Sequence, residues 1–191
     1  MEIRSFLAFE LPPEIRAVIF HVSHEIKKSL SDLRCVKPEN IHLTMVFMGN
    51  VHYEDLDQIN KAVSSVCRRY GPFNISIKGA GVFGGRRSPR VLWVGLNGDL
   101  ERMSYFRDAL QKHLKPFGIR QEKRRFSPHL TLGRFRKGDR PEGHLDTILS
   151  RYLKLDSPVC PLGELIQFKS DLRPGGAVYT RLNTWPLSGK K

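Results

Sequence analysis

Cysteine is scarce in this chain of 191 residues: there are three, Cys35, Cys67 and Cys160, widely separated and without a C-x-x-C pair. Such a count and spacing offer neither a disulfide framework nor a structural zinc site, and leave buried thiols as the reading. Long apolar runs are missing as well. No stretch approaches the roughly 18 residues of a membrane-spanning helix, and the opening "MEIRSFLAFELPPEIR" places Glu10 and two prolines where a secretory signal would carry its apolar core. A cytosolic protein is expected. Negative charge is the third shortage, with 19 acidic residues against 32 basic ones and a formal charge of +13. Low-complexity sequence is confined to the tail "SGKK", and no solenoid-length period is present.

What remains is an ordinary globular composition, 40% hydrophobic and 27% charged, enough for one domain or two small intimately packed lobes. The positive excess points to a polyanionic partner, because clustered Lys and Arg gain affinity by releasing counterions from phosphates. Charge alone does not choose among RNA, DNA and a membrane surface. Two basic runs stand out, "GGRRSPR" at 84 to 90, with Arg86, Arg87 and Arg90 available to a phosphate chain, and "EKRRF" at 122 to 126.

Apolar periodicity gives the element order. "IRSFLAFEL" alternates as a strand, and "PPEIRAVIFHVSHEIKKSL" opens on prolines and continues at helical spacing. "NIHLTMVFMGN" reads as a second strand, "YEDLDQINKAVSSVCRRYG" as a helix closed by Gly71, and "FNISIKGAG" as a third strand. The order then repeats: "RVLWVGL", the helix "GDLERMSYFRDALQKHLKPFG", "SPHLTLGRF", the helix "EGHLDTILSRYLK" and "ELIQFKSDL". A last strand, "AVYTRLNTW", follows the turn Pro174-Gly175-Gly176. A single bilobal domain spanning 1–191, with approximate repeat halves 1–85 and 86–191 whose lobes interleave, is expected.

The triplet His-Leu-Thr occurs once in each half, at His42-Leu43-Thr44 and at His129-Leu130-Thr131, each inside an apolar strand. Side chains alternate across a strand, so His42 and Thr44 share one face while Leu43, Met45 and Phe47 take the other. His129 and Thr131 are set in the same way against Leu130 and Leu132. With helices covering the apolar faces, the two His-x-Thr pairs meet across a cleft. Two imidazoles flanking one phosphate can serve as acid and base at neutral pH, each proton transfer contributing about 10²- to 10⁴-fold in rate. Threonine hydroxyls on the same face can donate to the non-bridging oxygens where charge builds up. The pairing suits metal-free opening of a phosphodiester. A single His-x-Thr is more often a hydrogen-bonded strand pair, and it is the duplication at equivalent positions that favours catalysis. Zinc would need further ligands that these strands do not offer.

Gly79-Ala80-Gly81-Val82-Phe83-Gly84 matches G-x-G-x-x-G, but a basic turn and a strand follow it where a dinucleotide fingerprint requires a helix amino terminus. It is expected to be a loop joining the lobes. His21 and His24 lie one helical turn apart facing solvent, His113 near a helix carboxyl end, and His52 and His144 near helix starts; none is assigned to catalysis. Tyr179 could reach substrate from the last strand or be a core tyrosine.

"ENIHLTMVFMGNV", "FSPHLTLGRF" and "LRPGGAVYTRL" resemble the motifs of the RNA 2′,3′-cyclic phosphodiesterases, historically called 2′-5′ RNA ligases, of the two-histidine phosphoesterase superfamily. The resemblance runs from "FLAFELPPEIR" to "YTRL", with one departure at "RCVKPEN", where an aromatic is expected near Cys35 or Val36. It implies an α+β fold of two pseudo-twofold-related αβ lobes, each an antiparallel sheet with helices outside, around a central cleft. It also implies hydrolysis of an RNA terminal 2′,3′-cyclic phosphate to a 2′-phosphate, with no cofactor and no metal. His42 would be the acid that protonates the departing 3′ oxygen and His129 the base that activates water. Thr44, Thr131 and Arg134 would hold the phosphate. The implied partner is RNA with cyclic phosphate ends, tRNA fragments among them, acted on by a cytoplasmic monomer with no membrane association.

Strict alternation from His129 puts Arg134 on the wrong face for that role. A glycine inside a strand often marks a bulge, so irregular pairing is expected at Gly133. Ligation through an adenylylated lysine is not supported, since no K-x-D-G-type motif is present. An ATP-independent reversal, with a 5′-hydroxyl in place of water, is left as a secondary activity. An RNA-end-binding module without turnover is the alternative from a different class.

Overall fold

A computed structural model describes residues 1–85, 87–139, 141 and 143–190; Arg86, one of the three arginines assigned above to a phosphate chain, lies outside the described residues. Strands β1 (Glu2–Phe9), β2 (Arg34–Cys35), β3 (Leu43–His52), β4 (Phe73–Phe83), β5 (Val91–Gly98), β6 (His129–Arg134), β7 (Cys160–Leu162), β8 (Glu164–Arg173) and β9 (Gly176–Pro186) are joined with helices α1 (Pro13–Ser29), α2 (Leu56–Cys67), α3 (Leu100–Leu114) and α4 (His144–Arg151). They form two antiparallel sheets, ordered β3-β1-β8-β9 and β2-β6-β5-β4-β7. The α+β class implied by the resemblance is observed.

The halves exchange strands. In the first sheet β1 lies between β3 of its own half and β8 of the other; in the second, β5 lies between β6 of its own half and β4 of the other. Each repeat therefore lends its third strand to its counterpart. Two strands escaped the sequence reading, β2 with two residues and β7 with three, because neither is long enough to display alternation.

The outer faces of both sheets share one apolar core with the helices. Ile15, Ile19, Val22 and Ile26 recur at helical spacing along α1, as do Ile59, Val63 and Val66 along α2 and Met103, Phe106 and Leu110 along α3, all essentially fully buried. The opposite face of the first sheet carries a separate small cluster of Phe6, Ala8, Ile166 and Phe168, with Tyr179 packed against it. That second cluster lines the cleft. Among the described residues, no helix is long and apolar enough to cross a membrane.

The glycine cluster is not a loop between lobes. Gly79 and Gly81 belong to β4, which runs on to Phe83. Gly79 adopts φ +64° inside a pairing irregularity between Ile77 and Ala80, and Gly81 lies beneath the Trp93 ring, where a Cβ would fall 2.4 Å from Cζ2. Close backbone approach, not phosphate binding, accounts for these glycines.

Candidate active site

Both motif histidines are held alike. The Nδ1–H of His42 donates to the Asn40 carbonyl at 2.7 Å and that of His129 to the Ser127 carbonyl at 2.8 Å, two residues back in each case. With Nδ1 committed to a carbonyl, the neutral ring has its lone pair on Nε2, the atom free to take or return a proton. His42 stacks on Phe6 with ring centroids 4.7 Å apart and meets the edge of Tyr179 at 5.3 Å. His129 stands edge-on to Phe83 at 4.8 Å.

The surroundings tune the two rings differently. Burial among aromatics pushes His42 down to about 4, opposed by its carbonyl hydrogen bond and by the Glu10 carboxylate. Burial also lowers His129, and there the neighbouring charge, the Arg134 guanidinium, acts in the same direction. Burial favours the neutral form of both rings. The nearby charges act in opposite directions, an anion beside His42 opposing its depression and a cation beside His129 adding to it.

Thr44 pairs with Ala8 and Thr131 with Trp93 on the neighbouring strands. The residue after each threonine is skipped: Val46 pairs with Leu7 and Gly133 with Leu92, which leaves Met45 and Leu132 as bulges. The irregularity expected at Gly133 thus falls on the adjacent Leu132, whose carbonyl accepts the Val36 N–H at 2.8 Å. Gly133 admits β2, since a Cβ there would lie 2.6 Å from Leu33 Cγ. Beyond the bulge Arg134 is exposed, and its charge adds to the lowering of His129 by burial and opposes the raising of Tyr179 by burial. Tyr179 is on the first sheet and Arg134 on the second, so the charge of the guanidinium is felt on both sheets.

The same bulge corrects a sequence expectation. Phe47 was assigned to the core face with Leu43 and Met45, but the extra residue at Met45 turns it to the cleft face, where its ring lies 6.3 Å from Phe6 and it is 69% exposed. Met45 and Val46 take the core side together and are buried.

Three contributors were missed in the sequence. Phe6 supports His42 from β1, Phe83 supports His129 from β4, and the Asn40 side chain donates to the Ala177 carbonyl at 2.9 Å, tying the loop before His42 to the last hairpin. Alternation could have placed Phe6 on the inner face of β1; no local signal marks Asn40. The run before His129 is pinned by buried Arg107, which donates to the Arg124 carbonyl at 3.3 Å and lies over the Phe126 ring at 4.9 Å. The basic side chains of Lys123, Arg124 and Arg125 remain exposed, as do those of Arg87 and Arg90. Among the described residues no group of three His, Cys, Asp or Glu side chains is arranged to hold a metal ion.

Comparison with known proteins agrees with this architecture. The chain is 33% identical to the RNA 2′,3′-cyclic phosphodiesterase of Methanothermobacter thermautotrophicus over 98% of its own length and all of the relative's. It is 32% identical to the protein of the same name from Archaeoglobus fulgidus, over 95% and 99% of the two chains. The crystal structure of TT0787 from Thermus thermophilus shares the fold, with a TM-score of 0.81 at 23% identity and coverage of 99% and 100%. That of E. coli LigT complexed with 3′-AMP gives 0.75 at 25% identity, over 98% and 99%. The pattern of the 2′-5′ RNA ligase superfamily matches residues 11–169, a span holding both His-x-Thr motifs, and the chain belongs to that superfamily.

Proposed function

We propose that the cleft hydrolyses the 2′,3′-cyclic phosphate at the end of an RNA to a 2′-phosphate, with His42 and His129 carrying both proton transfers and no metal required. The observation that carries this reading is the matched pair of imidazoles, each with Nδ1 anchored two residues back and Nε2 left for chemistry. Water attacks phosphorus in line with the P–O3′ bond as His129 Nε2 removes its proton. The P–O3′ bond breaks and protonated His42 delivers its Nε2 proton to O3′, releasing a 3′-hydroxyl and leaving the phosphate on O2′. Thr44 and Thr131 donate to the non-bridging oxygens, and the Arg134 cation offsets the charge that accumulates there. An anionic substrate also raises both imidazole pKa values from their depressed resting position, which brings the protonated form of His42 within reach.

The names of the archaeal relatives support this substrate, and the 3′-AMP bound to LigT supports a nucleotide phosphate in the cleft. A 5′-hydroxyl placed where the water sits would run the reverse reaction and form a 2′-5′ linkage without ATP. RNA fragments with cyclic ends, tRNA halves among them, fit as substrates. The decisive experiment is turnover of a short RNA ending in a 2′,3′-cyclic phosphate in EDTA, for wild type, His42→Ala and His129→Ala. Each variant is expected to fall by about 10²- to 10⁴-fold. RNA bound by the wild type without turnover would instead identify an end-binding module.

A further inference from the structure

The reaction proposed above needs an acid at His42, and the cleft face of the first sheet carries a charged pair that takes no part in it. Along β1 the register sets Ala8 opposite Thr44 and Phe9 opposite Leu43. One step further along both chains Glu10 comes opposite His42, and directly opposed residues of an antiparallel pair present their side chains on one face. Arg181 reaches Glu10 from β9, on the far side of β8, with Nε donating to Oε1 at 2.9 Å and Nη2 to Oε2. Arg181 pairs with Phe168 and Phe168 with Phe6, so the arginine shares the face of the ring on which His42 stacks. The ion pair is half open to solvent, and pairs so exposed add little to stability. Its placement beside the acid is the more telling property.

The other elements around His42 contribute differently. From β8 comes Phe168, which carries no charge, and from β9 Tyr179, edge-on at 5.3 Å, a phenol that burial keeps protonated. From the second sheet Arg134 acts on Tyr179 and on His129. Glu10 is the charge that opposes the effect of burial at His42. We propose that Glu10 and Arg181 form a positioning pair that sets how firmly His42 holds its proton: the carboxylate strengthens the hold, and the guanidinium, by closing on both carboxylate oxygens, limits it. This rests on the hydrolase reading above, in which His42 is the acid, and adds the pair that adjusts that acid without touching the substrate.

Either partner's removal breaks the same ion pair, but the two leave opposite charges behind. Glu10→Gln removes the anion and should weaken proton binding at His42; Arg181→Gln leaves the carboxylate uncompensated and should strengthen it. Each change is expected to be about threefold in proton affinity, as for one charge acting across roughly 6 Å of watery medium. The test is NMR titration of the His42 ring, identified by its loss in His42→Gln, without ligand and again with inorganic phosphate, whose charge lifts the midpoint of the ring away from that of Glu10. Opposite displacements in the two Gln variants are expected, with Arg181→Lys, which keeps the cation, close to wild type. Displacements of the same sign, or none in either, would overturn the pair. At neutral pH, kcat/KM on a nucleoside 2′,3′-cyclic monophosphate should fall about two- to threefold in Glu10→Gln and not in Arg181→Gln. Equal losses in both would make the pair structural and overturn its part in the reaction. A wild type without turnover would remove the hydrolase reading, while the titration would still decide whether the pair governs the ring.

Discussion

Met45 and Leu132 are counterparts: each directly follows a motif threonine, and each is the residue left out of the pairing with the neighbouring strand. An extra residue in one strand resets which face the following side chains occupy. The repeated unit is therefore longer than His-x-Thr. It delivers a third side chain to the cleft three residues after the threonine, Phe47 in one half and Arg134 in the other, and there the two halves have diverged.

If the bulge at Leu132 orients Arg134, closing the space that admits β2 should damage both stability and chemistry. Gly133→Ala would set a Cβ 2.6 Å from Leu33 Cγ and 3.0 Å from the Arg34 carbonyl. Urea unfolding should show a loss of about 1–3 kcal/mol, with lower kcat/KM, and Leu33→Ala in the same chain should return part of both. Full activity in Gly133→Ala would mean that the pairing of β2 with β6 does not govern Arg134.

Replacing Arg134 by Gln removes the proposed phosphate donor and a cation that adds to the depression of His129 by burial. Turnover is expected to drop on the order of 10²-fold. The His129 pKa, read by NMR titration of its ring, should rise, since the guanidinium is one of the influences holding it down. A His129 titration unmoved by the change would place Arg134 too far away to serve the same phosphate.

Stability should depend on pH through His42. Its folded pKa of about 4 lies below the ordinary value of 6.5. Between those values the unfolded chain binds the extra proton, so stability rises with pH across this window and is lost as pH falls from about 6.5 to 4. The span corresponds to roughly 3 kcal/mol, and His42→Gln should remove that part of the slope, leaving the smaller part from His129. Parallel stability profiles for wild type and His42→Gln would show that the ring is not buried in solution as it is here.

Asn40 links the last hairpin to the first histidine. Its side-chain amide donates to Ala177 and its own carbonyl accepts from His42. Asn40→Ala should cost about 1 kcal/mol in unfolding and lower kcat several-fold with little change in KM, because the segment whose main-chain carbonyl anchors the imidazole loses its tie to the last hairpin while the threonines and Arg134 stay. Asn40→Asp should not rescue, since a carboxylate has no proton for the Ala177 carbonyl.

Much of this was legible in the chain. The duplicated triplet marked both histidines and their threonines, and Gly133 announced the bulge beside Arg134 because a glycine in a strand is a recognisable exception. Phe47 was misplaced because the matching bulge sits on Met45, an ordinary apolar residue that interrupts no pattern. Strand exchange was hidden for a different reason: alternation tells which face of a strand is buried, not which strand lies beside it. Phe6 and Asn40 act on His42 through stacking and through a carbonyl, and neither interaction has a residue-type signature. The tuning of the two rings by Glu10 and Arg134 likewise depends on neighbours that only the folded chain brings together.

The lending of β8 and β9 to the first sheet also sets when the cleft can exist. Phe6 and His42 are made early, yet their packing partners Phe168 and Tyr179 and the Ala177 carbonyl that steadies Asn40 arrive with the final strands. A nascent chain still awaiting those strands holds both imidazoles but has only half a floor beneath the first. Contacts of such long sequence separation close slowly. Competence for RNA ends is thus reached late in biogenesis, and a ribosome stalled before residue 164 would display a basic, aromatic-bearing intermediate in place of an enzyme.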